Sequence, residues 1–284
     1  MGPSLQHARA MGSAPDRLKN AEQIAEDHGM HGERIATHTF QLQSWSRVRE
    51  SGKVLRIYIE GDGYAWRSRS RPSWDPTPYD PLSLKLAGLD GFPEVVYLAR
   101  PCQYVGVNDN ANCQERYWTN ARFSEEVIAS MNEAVDELKK SVRAEKIELV
   151  GYSGGAAVAL LIIARRDDVI NLRTVAGNLD PEAVNLHHRA SPLDESLDPL
   201  DFLKRVTSVP QLHFVGGRDK VVPMEIASHF ISLLPEGSCA DMAVVPNATH
   251  SSGWEENWEE LLKRPLPCEG SSSLLQNPSR SKNQ

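Results

Sequence analysis

The chain has no uninterrupted apolar run of the roughly 18 residues that a membrane-spanning helix needs. Its N-terminal stretch, MGPSLQHARAMGSAPDR, has no apolar segment of the kind a secretory signal requires. The Met-Gly pairs at Met1 and Met11 read as a tag or a trimmed leader, and neither fits the myristoylation pattern. Positive charge is not in excess. The formal net charge is −7, which argues against nucleic acid as a partner, because phosphate binding needs a basic face. Cysteine is scarce: the four are Cys102, Cys113, Cys239 and Cys268. None forms a C-x-x-C pair, and no Cys/His group has zinc spacing, so neither a metal nor a metal-based chemistry is expected. Cys102 and Cys113 bracket a polar loop and can either bond or remain thiols. A bonded pair implies a periplasmic or exported protein, and free thiols a cytoplasmic one.

What is present suits one large domain: 284 residues, 40% of them hydrophobic. Residues 1–13 read as disordered, 14–263 as the folded domain and 264–284 as a disordered Ser/Pro/Asn-rich tail. Leu18, Ala21 and Ile24 have helical spacing within a peripheral helix over 15–30. Alternation over 37–48 predicts an edge strand, and further strands are expected over 54–59, 95–99, 146–150, 173–176, 211–215 and 241–245. Helices are expected after Asp80, with Asp80 as cap and Pro81 at its first position, and from Ser124, where Glu125 and Glu126 suit the N-terminal dipole. Others are expected over 156–166, 221–234 and 254–263. Strands that alternate with helices predict an α/β fold, with a mostly parallel sheet covered on both faces.

The most informative stretch is Gly151-Tyr152-Ser153-Gly154-Gly155, a G-x-S-x-G between a β-prone run and a strong helix former. A serine on such a turn lifts its hydroxyl out of the sheet, and the following helix points its positive end at the site. Ser153, Asp219, His250 and the Glu60-Gly61-Asp62-Gly63 turn all follow expected strands, where sites form in parallel sheets. A serine hydroxyl needs a base and an orienting acid to become a nucleophile.

With G-G-R-D-K-V-V-P around Asp219 and N-A-T-H ending at His250, residues 37–263 resemble the α/β-hydrolase family. The phrases Ile-Tyr-Ile-Glu-Gly-Asp-Gly and Leu-Ala-Arg-Pro-Cys-Gln-Tyr resemble a group of uncharacterised bacterial members, often exported. The resemblance implies a nucleophile Ser153, an acid Asp219 and a base His250, in the family's chain order. Asp180 is a rival acid; His187 and His188 precede Asp219 and break that order. By the same resemblance the oxyanion donors are the N–H groups of Gly154 and Asp62, with Gly61 as the next choice for the second. Asp62 and Glu60 would oppose a developing anion unless they turn away or meet cations; Arg67, Arg69 and Arg71 lie just downstream.

Two insertions, 64–79 and 103–123, are expected to overhang the site, and Tyr152, Trp66 and Tyr104 are candidate pocket residues. No large apolar lid helix is present, which disfavours a lipase acting on fat droplets. The implied function is a serine carboxylesterase acting through an acyl-enzyme on a soluble short- to medium-chain ester, without a cofactor. A non-catalytic binding protein and a cofactor-free haloperoxidase or perhydrolase on the same fold are the alternatives.

Overall fold

A computed structural model describes residues 14–49, 52–106 and 110–268. Eight strands form one sheet in the order β1-β2-β6-β3-β7-β8-β9-β10. They are β1 (His31–Ala36), β2 (Gln41–Val48), β3 (Val54–Ile59), β6 (Glu94–Leu98), β7 (Lys146–Tyr152), β8 (Val169–Val175), β9 (Gln211–Gly216) and β10 (Ala240–Val245). β1 and β2 run antiparallel, and every pairing from β6 to β10 is parallel. A small hairpin, β4 (Trp66–Ser68) with β5 (Arg71–Pro72), sits apart from the sheet.

The alternation of the strands divides the core in two. On β3, Leu55, Ile57 and Ile59 join one hydrophobic cluster while Tyr58 faces the other. The first cluster packs against α3 (Glu125–Val142), α4 (Gly154–Ile163) and α7 (Met224–Leu233). The second packs against α1 (Ala14–Asp27), α2 (Leu82–Leu89) and α8 (Trp258–Leu262). α4 is buried along its whole length, as a helix that is apolar all round must be. Two further helices, α5 (Pro181–His188) and the short α6 (Leu203–Val206), lie between β8 and β9. Among the described residues no helix is long and apolar enough to cross a membrane.

Several local expectations change. The strand expected at the edge, residues 37–48, is second in the sheet, with β1 outside it. β1 exposes five of its six residues, so its sequence carries no alternation to read. α2 begins at Leu82 with Pro81 as N-cap, and the Asp80 carboxylate meets Lys85 Nζ at 2.5 Å instead of capping. Residues 264–268, read as tail, carry Leu266, which is buried, and the exposed Cys268, which is bonded to Cys239. Cys102 and Cys113 are bonded as well. Residues 1–13 and 269–284 lie outside the described residues.

Candidate active site

β7 ends at Tyr152, and Ser153 turns the chain into α4. Its backbone sits at φ 50°, ψ −122°, a conformation that a non-glycine residue adopts only under constraint. The constraint is visible: the Ser153 N–H donates to Val175 O at 3.0 Å, and Ser153 O accepts from Ala156 and Asn178. A Cβ on Gly155 would fall 2.3 Å from Ile59 O, and one on Gly151 would fall 2.6 Å from Ala156 Cα. Both motif glycines are therefore required by close backbone approach.

His250 follows β10 and reaches Ser153 from the side. Its Nε2 lies 3.0 Å from Ser153 Oγ, and its Nδ1 lies 2.9 Å from Asp219 Oδ2. The loop that carries it is pinned by Trp254, whose indole N–H donates to Thr249 O at 2.9 Å and to His250 O at 3.3 Å. The Asp219 side chain is wholly buried. Its second oxygen accepts the N–H groups of Val221 and Val222 at 2.7 and 2.9 Å, which fixes the carboxylate and compensates its charge. Asp180, the rival acid, is committed elsewhere: it caps α5 through the Ala183 N–H and meets His229 Nδ1 at 3.0 Å. A hydroxyl beside an imidazole whose far nitrogen meets a buried carboxylate can pass its proton to that imidazole.

The turn after β3 lies against the serine. Gly61 N–H, the alternative expected for the second oxyanion donor, donates to Glu60 Oε1 at 2.9 Å and is engaged there instead of pointing free at an anion. The Asp62 N–H donates to no group among the described residues, and Gly154 N–H heads α4, where the first N–H groups have no intrahelical partner. The turn is braced from below. Gln103, next in sequence to the bridged Cys102, donates from Nε2 to Gly61 O at 3.0 Å and accepts the Arg100 N–H at Oε1.

The Asp62 carboxylate is compensated, but not by Arg67, Arg69 or Arg71. Its oxygens meet Arg100 Nη1 at 3.4 Å and Arg122 Nε at 3.3 Å. Burial lowers the Arg100 guanidinium to about 10, with Asp62 opposing the shift. Arg100 follows β6 at the same end of the sheet as Ser153, and that position is the signal that could have found it. Glu60 is fully buried and raised to about 7 by desolvation, although its hydrogen bonds from Gly61 N–H and from Tyr97 Oη at 3.2 Å act against the rise. Desolvation likewise raises the Tyr152 phenol far above its ordinary range, so it remains neutral.

A cleft of about 390 Å³ opens over Ser153 and His250, lined by Tyr64, Trp66, Tyr79, Tyr152 and Val221. Trp66 and Tyr152 line this cleft. Tyr104 does not. It is buried in the second core cluster, edge-on to Trp45 with ring centroids 5.1 Å apart, and the insertion carrying it supplies core anchors. Trp118 is another, donating to Ser73 O from a buried position. Tyr64 and Tyr79, which take Tyr104's expected place in the cleft, stack edge-on at 4.8 Å. Among the described residues no cluster of three or more His, Cys, Asp or Glu side chains could hold a metal ion.

The profile of the serine hydrolase (FSH1) family matches residues 94–242. No curated protein matches the chain. Among solved structures, an acylaminoacyl peptidase of Pyrococcus horikoshii superposes with a TM-score of 0.57 at 14% identity over 84% of this chain; the chain spans 42% of that protein's length. The Pyrococcus furiosus esterase Pf2001 gives 0.59 at 13% identity, covering 84% of this chain and 90% of the esterase. Est1E from Butyrivibrio proteoclasticus gives 0.55 at 15% identity, covering 81% and 97%. At these identities the likeness is one of fold.

Proposed function

The chain belongs to the serine hydrolase (FSH1) family and has an α/β-hydrolase fold, and from that premise we propose that it cleaves a carboxylic ester through an acyl-enzyme formed on Ser153. The observation that carries this reading is the continuous relay of two hydrogen bonds, Ser153 Oγ to His250 Nε2 and His250 Nδ1 to Asp219 Oδ2. His250 takes the serine proton as Oγ attacks the carbonyl carbon. Asp219 holds the Nδ1–H tautomer and stabilises the imidazolium that results. The carbonyl oxygen, now an anion, lies against the N–H groups of Gly154 and Asp62. His250 then gives the proton to the leaving alcohol, and water attacks the acyl-enzyme with His250 again as base.

The cleft favours a soluble ester of short to medium chain. At about 390 Å³ and open to solvent, it has room for a small acyl group against Trp66 and the tyrosines. The two bonded cysteine pairs fit an oxidising compartment, which is the exported or periplasmic alternative. The test is a panel of p-nitrophenyl esters graded by acyl length, with the matching thioester and anilide, run on the native protein and on Ser153→Ala. Turnover that peaks at short to medium esters and vanishes in the variant is expected. Turnover that survives in Ser153→Ala refutes the assignment.

A further inference from the structure

A second, larger cavity lies beside the cleft. It measures about 970 Å³ and is walled by the β4–β5 hairpin, residues 115–122 and the C-terminal end of α5. Trp66 is common to both spaces, and Arg122, which lines the larger one, holds the Asp62 carboxylate that lines the smaller. Trp66 and the Arg122–Asp62 ion pair therefore stand at the boundary between the two.

The charge of the larger cavity runs against that of the chain. Among the described residues its wall carries three arginines, Arg69, Arg122 and Arg189, against one carboxylate, Glu115. The chain as a whole has a net charge of −7. Arg122 shares its charge with Asp62, and the other two arginines are exposed to solvent. Arg69 donates to the neutral carbonyl of His188 at 3.1 Å, and neither Arg69 nor Arg189 meets a carboxylate among the described residues. Guanidinium groups without a carboxylate partner, lining one concave wall, offer a forked donor set matched to a carboxylate.

We propose that this cavity is a subsite for a negatively charged group, a second carboxylate, on the acyl arm of the ester. The choice of arm follows from geometry and rests on the hydrolase reading above. The leaving oxygen must face His250 to receive its proton, and His250 is not among the residues that wall the larger cavity. Trp66 lines both spaces, and Asp62 in the cleft pairs with Arg122 in the larger cavity, so the acyl arm is taken to extend past these two residues.

The test compares p-nitrophenyl half-esters of glutarate, adipate and suberate with the same compounds capped as methyl esters. The native protein is expected to favour the best charged half-ester by about tenfold in kcat/KM, mainly through KM, at low salt. That preference should shrink at high salt and fall toward unity in Arg69→Gln/Arg189→Gln, while Arg69→Lys/Arg189→Lys keeps most of it. Calorimetric binding of suberate against octanoate to Ser153→Ala reads the subsite without turnover. Equal hydrolysis of charged and capped esters, with suberate and octanoate bound alike, overturns the subsite and leaves the hydrolase reading standing. Arginine-dependent binding of suberate with no hydrolysis of any ester upholds the subsite and overturns the hydrolase reading.

Discussion

Asp62 Oδ1 lies 3.4 Å from Arg100 Nη1, and a Cβ on Gly154 would fall 2.1 Å from that same oxygen. The carboxylate is thus pressed between a buried cation and the residue after the nucleophile. Only glycine at 154 leaves it room. Gly154→Ala must swing Asp62 off Arg100 and Arg122 and disturb the backbone whose N–H is proposed to face the developing anion. A loss of about 10- to 100-fold in kcat/KM is expected, with the fold kept. Steady-state kinetics alongside circular dichroism checks it, and full activity in the variant would show that Asp62's position is immaterial.

The two acids that follow β8 and β9 separate cleanly by substitution. Asp219→Asn leaves His250 without its orienting charge, so kcat should drop by about 10³- to 10⁴-fold in a folded protein. Asp180→Asn removes the charge facing His229 but keeps an oxygen that can cap α5; it should cost less than about 1 kcal/mol of stability and little activity. Ester turnover and urea midpoints measured on both variants decide between them. The reverse pattern would make Asp180 the acid.

Cys239 and Cys268 close a loop of 29 residues, and Cys102 and Cys113 one of 11. Loop-closure entropy predicts that losing either bridge costs about 3 kcal/mol. Cys268→Ser should lower stability alone. Cys113→Ser should also lower kcat, because the bridge braces Gln103 under the Gly61 carbonyl. Denaturant titration and ester kinetics on the two variants test the distinction; equal kcat in both would detach the bridge from the site.

Glu60 and His213 give stability opposite dependences on pH. Burial holds Glu60 at about 7, above its ordinary 4.5, so its contribution is complete below the ordinary value and is lost as pH rises through about 7. Burial lowers His213 to about 3 from 6.5, so its contribution is lost as pH falls from 6.5 toward 3. Glu60→Gln removes only the first effect. Relative to the native protein, the variant should gain about 2 kcal/mol between about pH 5 and about pH 8. Urea unfolding of both proteins across that range measures it; a constant difference would mean that Glu60 ionises normally.

The elbow was legible because it is local: a short strand, a glycine-flanked serine and an apolar helix, all within twenty residues of chain. Asp219 and His250 were legible because each follows a short β-prone run, Gln211–Val215 and Asp241–Val245, in the passages G-G-R-D and N-A-T-H. Other features depend on contacts that no periodicity encodes. Arg100 and Arg122 reach Asp62 across sequence separations of 38 and 60 residues. Tyr104 turns into the core because Cys102 and Tyr104 both take left-handed backbone conformations, with φ 71° and 61°, in a polar loop that otherwise reads as an overhang. α5 lay hidden in an Asp- and Pro-rich stretch, where Asp180 and Pro181 are its cap and first turn. β1 is exposed at the sheet edge, where polar residues are tolerated and blunt further pairing.

The central claim is that the Ser153 hydroxyl is activated by His250. Fluorophosphonate labelling read by peptide mass spectrometry tests it without knowledge of the substrate. The account predicts label on Ser153 in the native protein and its loss in His250→Ala, with the variant still folded. Absence of label on well-folded native protein, or label at Ser153 undiminished in His250→Ala, would contradict it.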